Sequence, residues 1–410
     1  MSEYKQTEIG RIPQEWEVVK LGEVVKDILT GATPLRSNRE YWLNGNIPWL
    51  TNEEVEDEKI NYIWKTKEKV TEKALKETNI KLIPENSVIL SLTASVGKVA
   101  INKIPITTNQ QFNSFIIDFN EIYPEFLGYY FIFAKKRIEM LAGTTTFRFI
   151  SKSKIANFKI PLPPFTEQQK IAGILSTVDE AIEKVDSAIV KTERLKKGLM
   201  KELLTKGIDH KEFKDTEIGR IPKEWEVVRL KESKEIDLIM GQSPPGKSYN
   251  KKGEGVPFIQ GKAEFGNMYP SPILWTAHPI KKAKEGDILI SVRAPVGDVN
   301  ICPYRLCIGR GLAAIRIKEG SNIFYFYWFQ KEKQRIESIG KGSTFKAITK
   351  DELSNIFIPF PSLPEQQKIA EILSTVDKRL ELLRNKKEKM ERVKKGLMND
   401  LLTGKRRVKV

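Results

Sequence analysis

Glu167–Asp179 reads EQQKIAGILSTVD and Glu365–Asp377 reads EQQKIAEILSTVD, identical at 12 of 13 positions and 198 residues apart. Each copy opens a long heptad pattern. In the first, Ile171, Leu175, Val178, Ile182, Val185, Ile189, Thr192, Lys196, Leu199 and Leu203 step by four and three. In the second, Ile369, Leu373, Val376, Leu380, Leu383, Lys387, Met390, Lys394, Leu397 and Leu401 fall on equivalent positions. Prolines precede both runs, at Pro161, Pro163 and Pro164 and at Pro359, Pro361 and Pro364; they end a strand and admit a helix start. A helix of nearly 40 residues spans roughly 55 to 60 Å.

An isolated apolar seam stays wet, so each helix needs a partner. Two equivalent units about a pseudo-twofold axis pair their helices antiparallel, and this intramolecular coiled coil is the expectation. Two separate helices, each on its own domain, are the alternative. Thr192, Lys196, Lys387 and Lys394 interrupt the seam; their heads either snorkel to solvent or mark where the coil opens to another subunit.

A second repeated stretch lies at Thr7–Val19 (TEIGRIPQEWEVV) and Thr216–Val228 (TEIGRIPKEWEVV), again identical at 12 of 13 positions but 209 residues apart. The ends of the two copies are therefore preserved, and the second middle is 11 residues shorter. The middles share turn and strand signals. Gly31-Ala-Thr33-Pro34 corresponds to Gly241-Gln-Ser243-Pro244, and the apolar run Ser87–Ser91 before Gly97 corresponds to Asp287–Ser291 before Gly297. Each middle reads as a mixed α+β domain, with aromatic helices at 126–140 and 324–336.

The 410 residues carry 69 Lys+Arg against 53 Asp+Glu, a net charge of +16 that favours a polyanionic partner. Cys302 and Cys307 are the only cysteines, too few for a disulfide scaffold or a four-cysteine zinc site. The opening MSEYKQTEIG lacks an apolar signal core, and no apolar run reaches membrane-span length, so a soluble, cytoplasmic protein is expected.

Parts for catalysis are missing. There is no GxxxxGK[ST] phosphate loop and no GxGxxG loop, and the two histidines, His210 and His278, leave no material for His-based metal sites or Ser-His triads. Leu162-Pro-Pro-Phe165 resembles an amino-methyltransferase tetrad only in outline, because Leu162 cannot hydrogen-bond a flipped base. Neither a catalytic residue, nor a metal, nor a cofactor is expected.

The duplicated EQQKIA(G/E)ILSTVD, the KKGLM at Lys196–Met200 and Lys394–Met398, and the duplicated TEIGRIP and EWEVV together resemble the specificity subunit of type I restriction-modification enzymes, over essentially the whole chain. The resemblance implies target-recognition domains at residues 1–164 and 211–362, each reading half of a bipartite DNA site. It implies conserved helical regions at 165–210 and 363–410 as spacer and docking surface. The implied partners are double-stranded DNA, two methyltransferase subunits and, in the full complex, restriction subunits; self-association is open when these are missing. Methylation and ATP-dependent restriction then belong to the partners. A stand-alone nucleic-acid-modifying enzyme, or a coiled-coil scaffold whose basic charge is incidental, are the rival readings.

Base edges are read by Arg, Lys, Asn, Gln, Ser and Thr. Divergent polar residues beside shared turns are the candidates: Thr33, Arg36, Arg39, Asn52, Thr93, Lys98, Asn109, Gln110, Gln111 and Arg148 in the first domain; Gln242, Ser243, Lys247, Gln260, Lys262, Arg293, Arg310, Ser343 and Lys346 in the second. Arg293 and Arg310 stand where the first domain has Thr93 and Gln110. Gly31, Pro34, Gly97, Gly241, Pro244 and Gly297 read as turn residues. The basic helix ends are a solvated face, or they touch spacer DNA or acidic surfaces of the methyltransferase subunits. The tail Lys405–Lys409 is expected to be disordered.

Overall fold

Pro161 and Pro359 sit inside the short strands Lys159–Leu162 and Phe357–Phe360, and the long helices Phe165–Lys206 and Leu363–Leu402 begin directly after them. These helices have 42 and 40 residues, about 60 Å each. The computed structural model describes residues 4–93, 96–142, 150–340 and 347–408. The chain forms two compact units, residues 1–186 with 385–410, and residues 187–384.

In the first unit, the fully buried run Val88–Ser91 pairs antiparallel with Phe112–Ile117, which pairs antiparallel with Val25–Thr30. Val99–Asn102 and Ile60–Ile63 complete a five-stranded sheet. A smaller sheet holds Ile47–Leu50 parallel to Thr107–Thr108. The aromatic stretch forms Pro124–Phe133 and Lys135–Leu141, so the continuous helix expected there is broken at Ala134, whose ψ of 5 leaves the helical range. Phe126, Tyr130 and Phe131 of that stretch pack into one core with Ile171 and Leu175 of the central helix and Met398, Leu401 and Leu402 of the C-terminal helix.

The second unit repeats the scheme. Ile236–Met240, Leu312–Ile317, Ile288–Ser291 and Val299–Ile301 form a four-stranded antiparallel sheet, and Val256–Ile259 runs parallel to Leu306–Ile308 beside it. Its core gathers Phe324–Phe329 with Ile369 and Leu373 of the C-terminal helix and Leu204 of the central helix. Each core is thus closed by the start of one long helix and the end of the other.

Within each unit the two helices pair antiparallel. In the first, Asp179 meets Lys394 at 2.7 Å and Asp186 meets Lys387 at 2.7 Å, so the partner number falls as the chain number rises. In the second, Glu193 meets Arg384 at 2.7 Å and Lys196 meets Asp377 at 2.7 Å. Ile171, Leu175, Val185, Ile369, Leu373, Val376, Leu380 and Leu401 are buried; Val178, Ile182, Ile189, Leu199, Leu203, Leu383, Met390 and Leu397 are half-buried.

The polar seam residues Thr192, Lys196, Lys387 and Lys394 all find partners within their own unit. Lys394 lies over the Tyr129 ring, whose hydroxyl donates to Asp179 Oδ2 at 2.9 Å; Lys196 lies over Tyr327, whose hydroxyl donates to Asp377 Oδ2 at 2.7 Å. Burial raises both tyrosine hydroxyls above the usual range, so each stays a proton donor to its aspartate. Thr192 returns its hydroxyl to Ala188 O.

Residues 405–408 of the tail are docked, contrary to the expectation of disorder, and Lys409 lies outside the described residues. Arg407 holds Glu15 and Glu167, and Lys405 O accepts from Tyr4. Glu167 is fully buried and also accepts from Trp16 Nε1 at 3.0 Å, so the guanidinium neutralises a charge that has no water. In the second unit the equivalent Glu365 accepts from Trp225 Nε1 at 2.9 Å and meets His210 Nε2 at 2.9 Å.

Candidate nucleic-acid interface

Antiparallel pairing brings the C-terminal ends of Val25–Thr30 and Val88–Ser91 to the N-terminal end of Phe112–Ile117, with Thr30 opposite Asn113 and Ser91 opposite Phe112. The parallel pair puts the ends of Ile47–Leu50 and Thr107–Thr108 at the same rim, Leu50 beside Thr108. Backbone bonds close it: Gly31 N to Phe112 O, Ala32 N to Thr108 O, Asn109 N to Leu50 O and Leu92 N to Gln111 O, at 2.9 to 3.2 Å.

The second unit builds the same rim with the same bonds: Gly241 N to Leu312 O, Gln242 N to Ile308 O, Gly309 N to Ile259 O and Val292 N to Gly311 O, at 2.8 to 3.0 Å. A Cβ on Gly31 would stand 2.0 Å from Asn109 O and one on Gly241 2.2 Å from Gly309 O, which is why glycine heads the loop in both. These bonds fix the equivalences. Thr93 matches Arg293, Gln110 matches Arg310, Thr33 matches Ser243 and Lys98 matches Asp298.

Most candidates read from the sequence gather on these rims. On the first, the Thr33 hydroxyl donates to Gln110 Oε1, and Asn109 Nδ2 donates to Gln111 Oε1 at 3.1 Å. Lys98 Nζ donates to Asn52 O at 2.9 Å, tying two rim loops. The buried atoms Asn52 Oδ1, Thr93 Oγ1 and Thr108 Oγ1 have no hydrogen-bond partner among the described residues. Arg36 is committed elsewhere: its guanidinium meets Glu68 at 2.7 Å and lies 3.9 Å from the Trp42 ring centroid and 4.7 Å from that of Trp49. Arg39 stands apart on the short turn Arg39–Tyr41.

On the second rim, the Ser243 hydroxyl accepts from Arg310 N at 3.2 Å, and Gln242, Lys247, Gln260, Arg293 and Arg310 are exposed. Lys262 meets Asp298 at 2.9 Å, and Asp298 also holds Lys333 at 2.6 Å. Arg148, Ser343 and Lys346 lie outside the described residues. Asp298 was not read from the sequence as part of the rim; its place after Gly297, matching Lys98 after Gly97, is the signal that finds it.

A different repeated surface lies on the long helices. Lys191, Arg194, Leu195 and Gly198 share one face by their spacing of three, four and seven, and Lys389, Arg392, Val393 and Gly396 repeat it. Leu195 and Val393 are 54% and 55% exposed, and a Cβ on Gly198 or Gly396 would meet open space, so nothing among the described residues explains mid-helix glycine there.

The cysteines offer no reactive thiol: both are buried and free, and burial pushes the Cys302 thiol up to about 12 and the Cys307 thiol up as well. No helix among the described residues is long and apolar enough to cross a membrane.

The chain thus holds two mixed domains with matching loop rims, alternating in sequence with long helices. The chain belongs to the family described as type I restriction modification DNA specificity domain, which it matches twice, over residues 13–191 and 222–392. It is 42% identical to a putative type I restriction enzyme MjaX specificity subunit of Methanocaldococcus jannaschii, over 99% of this chain and 97% of that one. It is 31% identical to the MjaVIII specificity subunit of the same organism, over 97% and 95%. Among solved structures it resembles a chain of a type I R-M system, with TM-score 0.62 and 27% identity over 96% of this chain and 99% of that one. The S subunit from M. genitalium, at 16% identity and TM-score 0.60 over 94% and 96%, shares the fold.

Proposed function

We propose that this chain is the non-catalytic, sequence-reading subunit of a type I system, recognising a bipartite DNA site with one rim per half-site. The observation that carries this reading is the pair of rims: identical backbone bonds present different side chains at each equivalent position, Thr93 against Arg293 and Gln110 against Arg310. Residues 1–164 and 211–362 are the recognition domains, and residues 165–210 and 363–410 the spacer. Base-edge contacts from the rim specify sequence, while the net charge of +16 supplies phosphate attraction.

Stiff helices hold half-sites at a set distance and rotational phase, which a flexible linker does not. The face Lys191, Arg194, Leu195, Gly198 and its repeat at 389–396 favour docking of two copies of one partner, because the same surface occurs twice. We assign that partner as the methyltransferase subunit, which carries the chemistry. Mapping methylated adenines in DNA exposed to the partner subunits, with and without this chain, tests the reading: a two-part motif of fixed spacing should appear only with it, and methyl transfer by the pure chain alone would overturn it.

A further inference from the structure

The two rims differ in the chemistry they leave free. On the first, among the described residues, Lys98 is held by the Asn52 carbonyl and Arg36 is committed to Glu68. What remains free there among the described residues is neutral, the Nε2 amide groups of Gln110 and Gln111, since the Thr33 hydroxyl is spent on Gln110 and that of Thr93 is buried. On the second, Asp298 takes Lys262 and Lys333, and Arg293 and Arg310 stand exposed with no ion-pair partner among the described residues.

Both arginines are well supported from behind. The turn carrying Arg293 is closed by Ser291, whose Oγ donates to Pro295 O at 2.8 Å and accepts from Asp298 N at 2.9 Å; Asp298 then ties the turn to the loop of Lys262. Arg310 sits between Gly309 and Gly311, whose added Cβ atoms would lie 3.0 and 2.8 Å from the Gln260 backbone, and its own N–H is held by Ser243. The backbones carrying the two arginines are hydrogen-bonded neighbours, Val292 N to Gly311 O at 2.9 Å. Such neighbours lie about 4.8 Å apart, between one and two steps of a duplex rising about 3.4 Å per base pair.

An unpaired guanidinium carried on a braced backbone at a DNA interface finds its best base partner in the O6 and N7 acceptors of guanine, which it contacts bidentately. Resting on the function proposed above, we propose that the half-site read by the second domain contains two G·C pairs within two steps of each other, contacted by Arg293 and Arg310. The first domain has Thr93 and Gln110 at the equivalent positions, neither of them a guanidinium, and has no such requirement.

The test uses the full chain assembled with its methyltransferase partners, with methylated adenines mapped across a random-sequence DNA pool. The wild-type motif should hold two such G·C pairs in one half. Arg310→Gln and Arg293→Thr, which install the first domain's residues, should each reduce preference at one of those pairs by about 5- to 150-fold and leave the other half-site unchanged. If Arg310→Gln abolishes methylation, Arg310→Lys keeps the charge but not the planar fork; it should restore methylation with preference at that pair reduced. A half-site altered by these variants that lacks the two G·C pairs, or variants that alter no base position, or an Arg310→Lys form that retains full preference, would overturn the inference while leaving the bipartite reading intact. Absence of any motif dependent on this chain would instead overturn the reading on which it rests.

Discussion

Lys394 Nζ lies 2.7 Å from Asp179 Oδ1, and 198 residues earlier Lys196 Nζ lies 2.7 Å from Asp377 Oδ1, so each long helix supplies the lysine for the other's aspartate. Because these pairs are largely buried, removing one partner leaves an uncompensated charge. Lys394→Ala should destabilise by on the order of 3 kcal/mol, and Lys196→Ala by less, since its pair is more exposed. Denaturant unfolding of single and double variants checks this, with a double-mutant cycle isolating the coupling. Equal stability of Lys394→Ala and wild type would contradict the clasp.

Arg407 should matter out of proportion to its position near the chain end. Glu167 is fully buried, and Arg407 is its cationic partner. Arg407→Ala should cost on the order of 3 kcal/mol and lower the thermal midpoint, whereas Lys405→Ala, whose contact uses only its backbone carbonyl, should be nearly neutral.

Gly198 and Gly396 predict opposite responses in stability and assembly. Alanine at either should stabilise the free chain by up to about 1 kcal/mol, because the site is open. Leucine there should weaken capture of the methyltransferase subunit in a pull-down while leaving the free chain folded by circular dichroism.

Helix length should set half-site spacing. Inserting one heptad at 186/187 and another at 384/385 adds about 10 Å to each helix, equal to about three base pairs. The mapped spacer should lengthen by that amount, and an unchanged spacer would refute the ruler.

Both thiols should resist alkylation in the native state. Burial pushes the Cys302 thiol up to about 12 and also raises that of Cys307, so little thiolate exists at pH 8. Native mass spectra should show neither modified, and both should react after unfolding.

The repeats and heptads made the long helices legible from sequence, and the shared turns pointed to the same loops that form the rims. What sequence pattern missed was pairing across space. Lys196 and Lys394 looked like seam defects because their aspartates lie 181 and 215 residues away in the chain. Arg36 looked free because Glu68, Trp42 and Trp49 converge on it only in the fold. The tail looked like a solvated basic run because the buried Glu167 that holds Arg407 is 240 residues distant.

The central claim is that two unlike rims on one scaffold read one two-part site. Mapping methylated adenines in DNA exposed to the complex assembled around this chain tests it most directly. A single asymmetric motif in two halves at one fixed spacing is the expected result. Methylation at a continuous motif, or at two halves with freely varying separation, would contradict it.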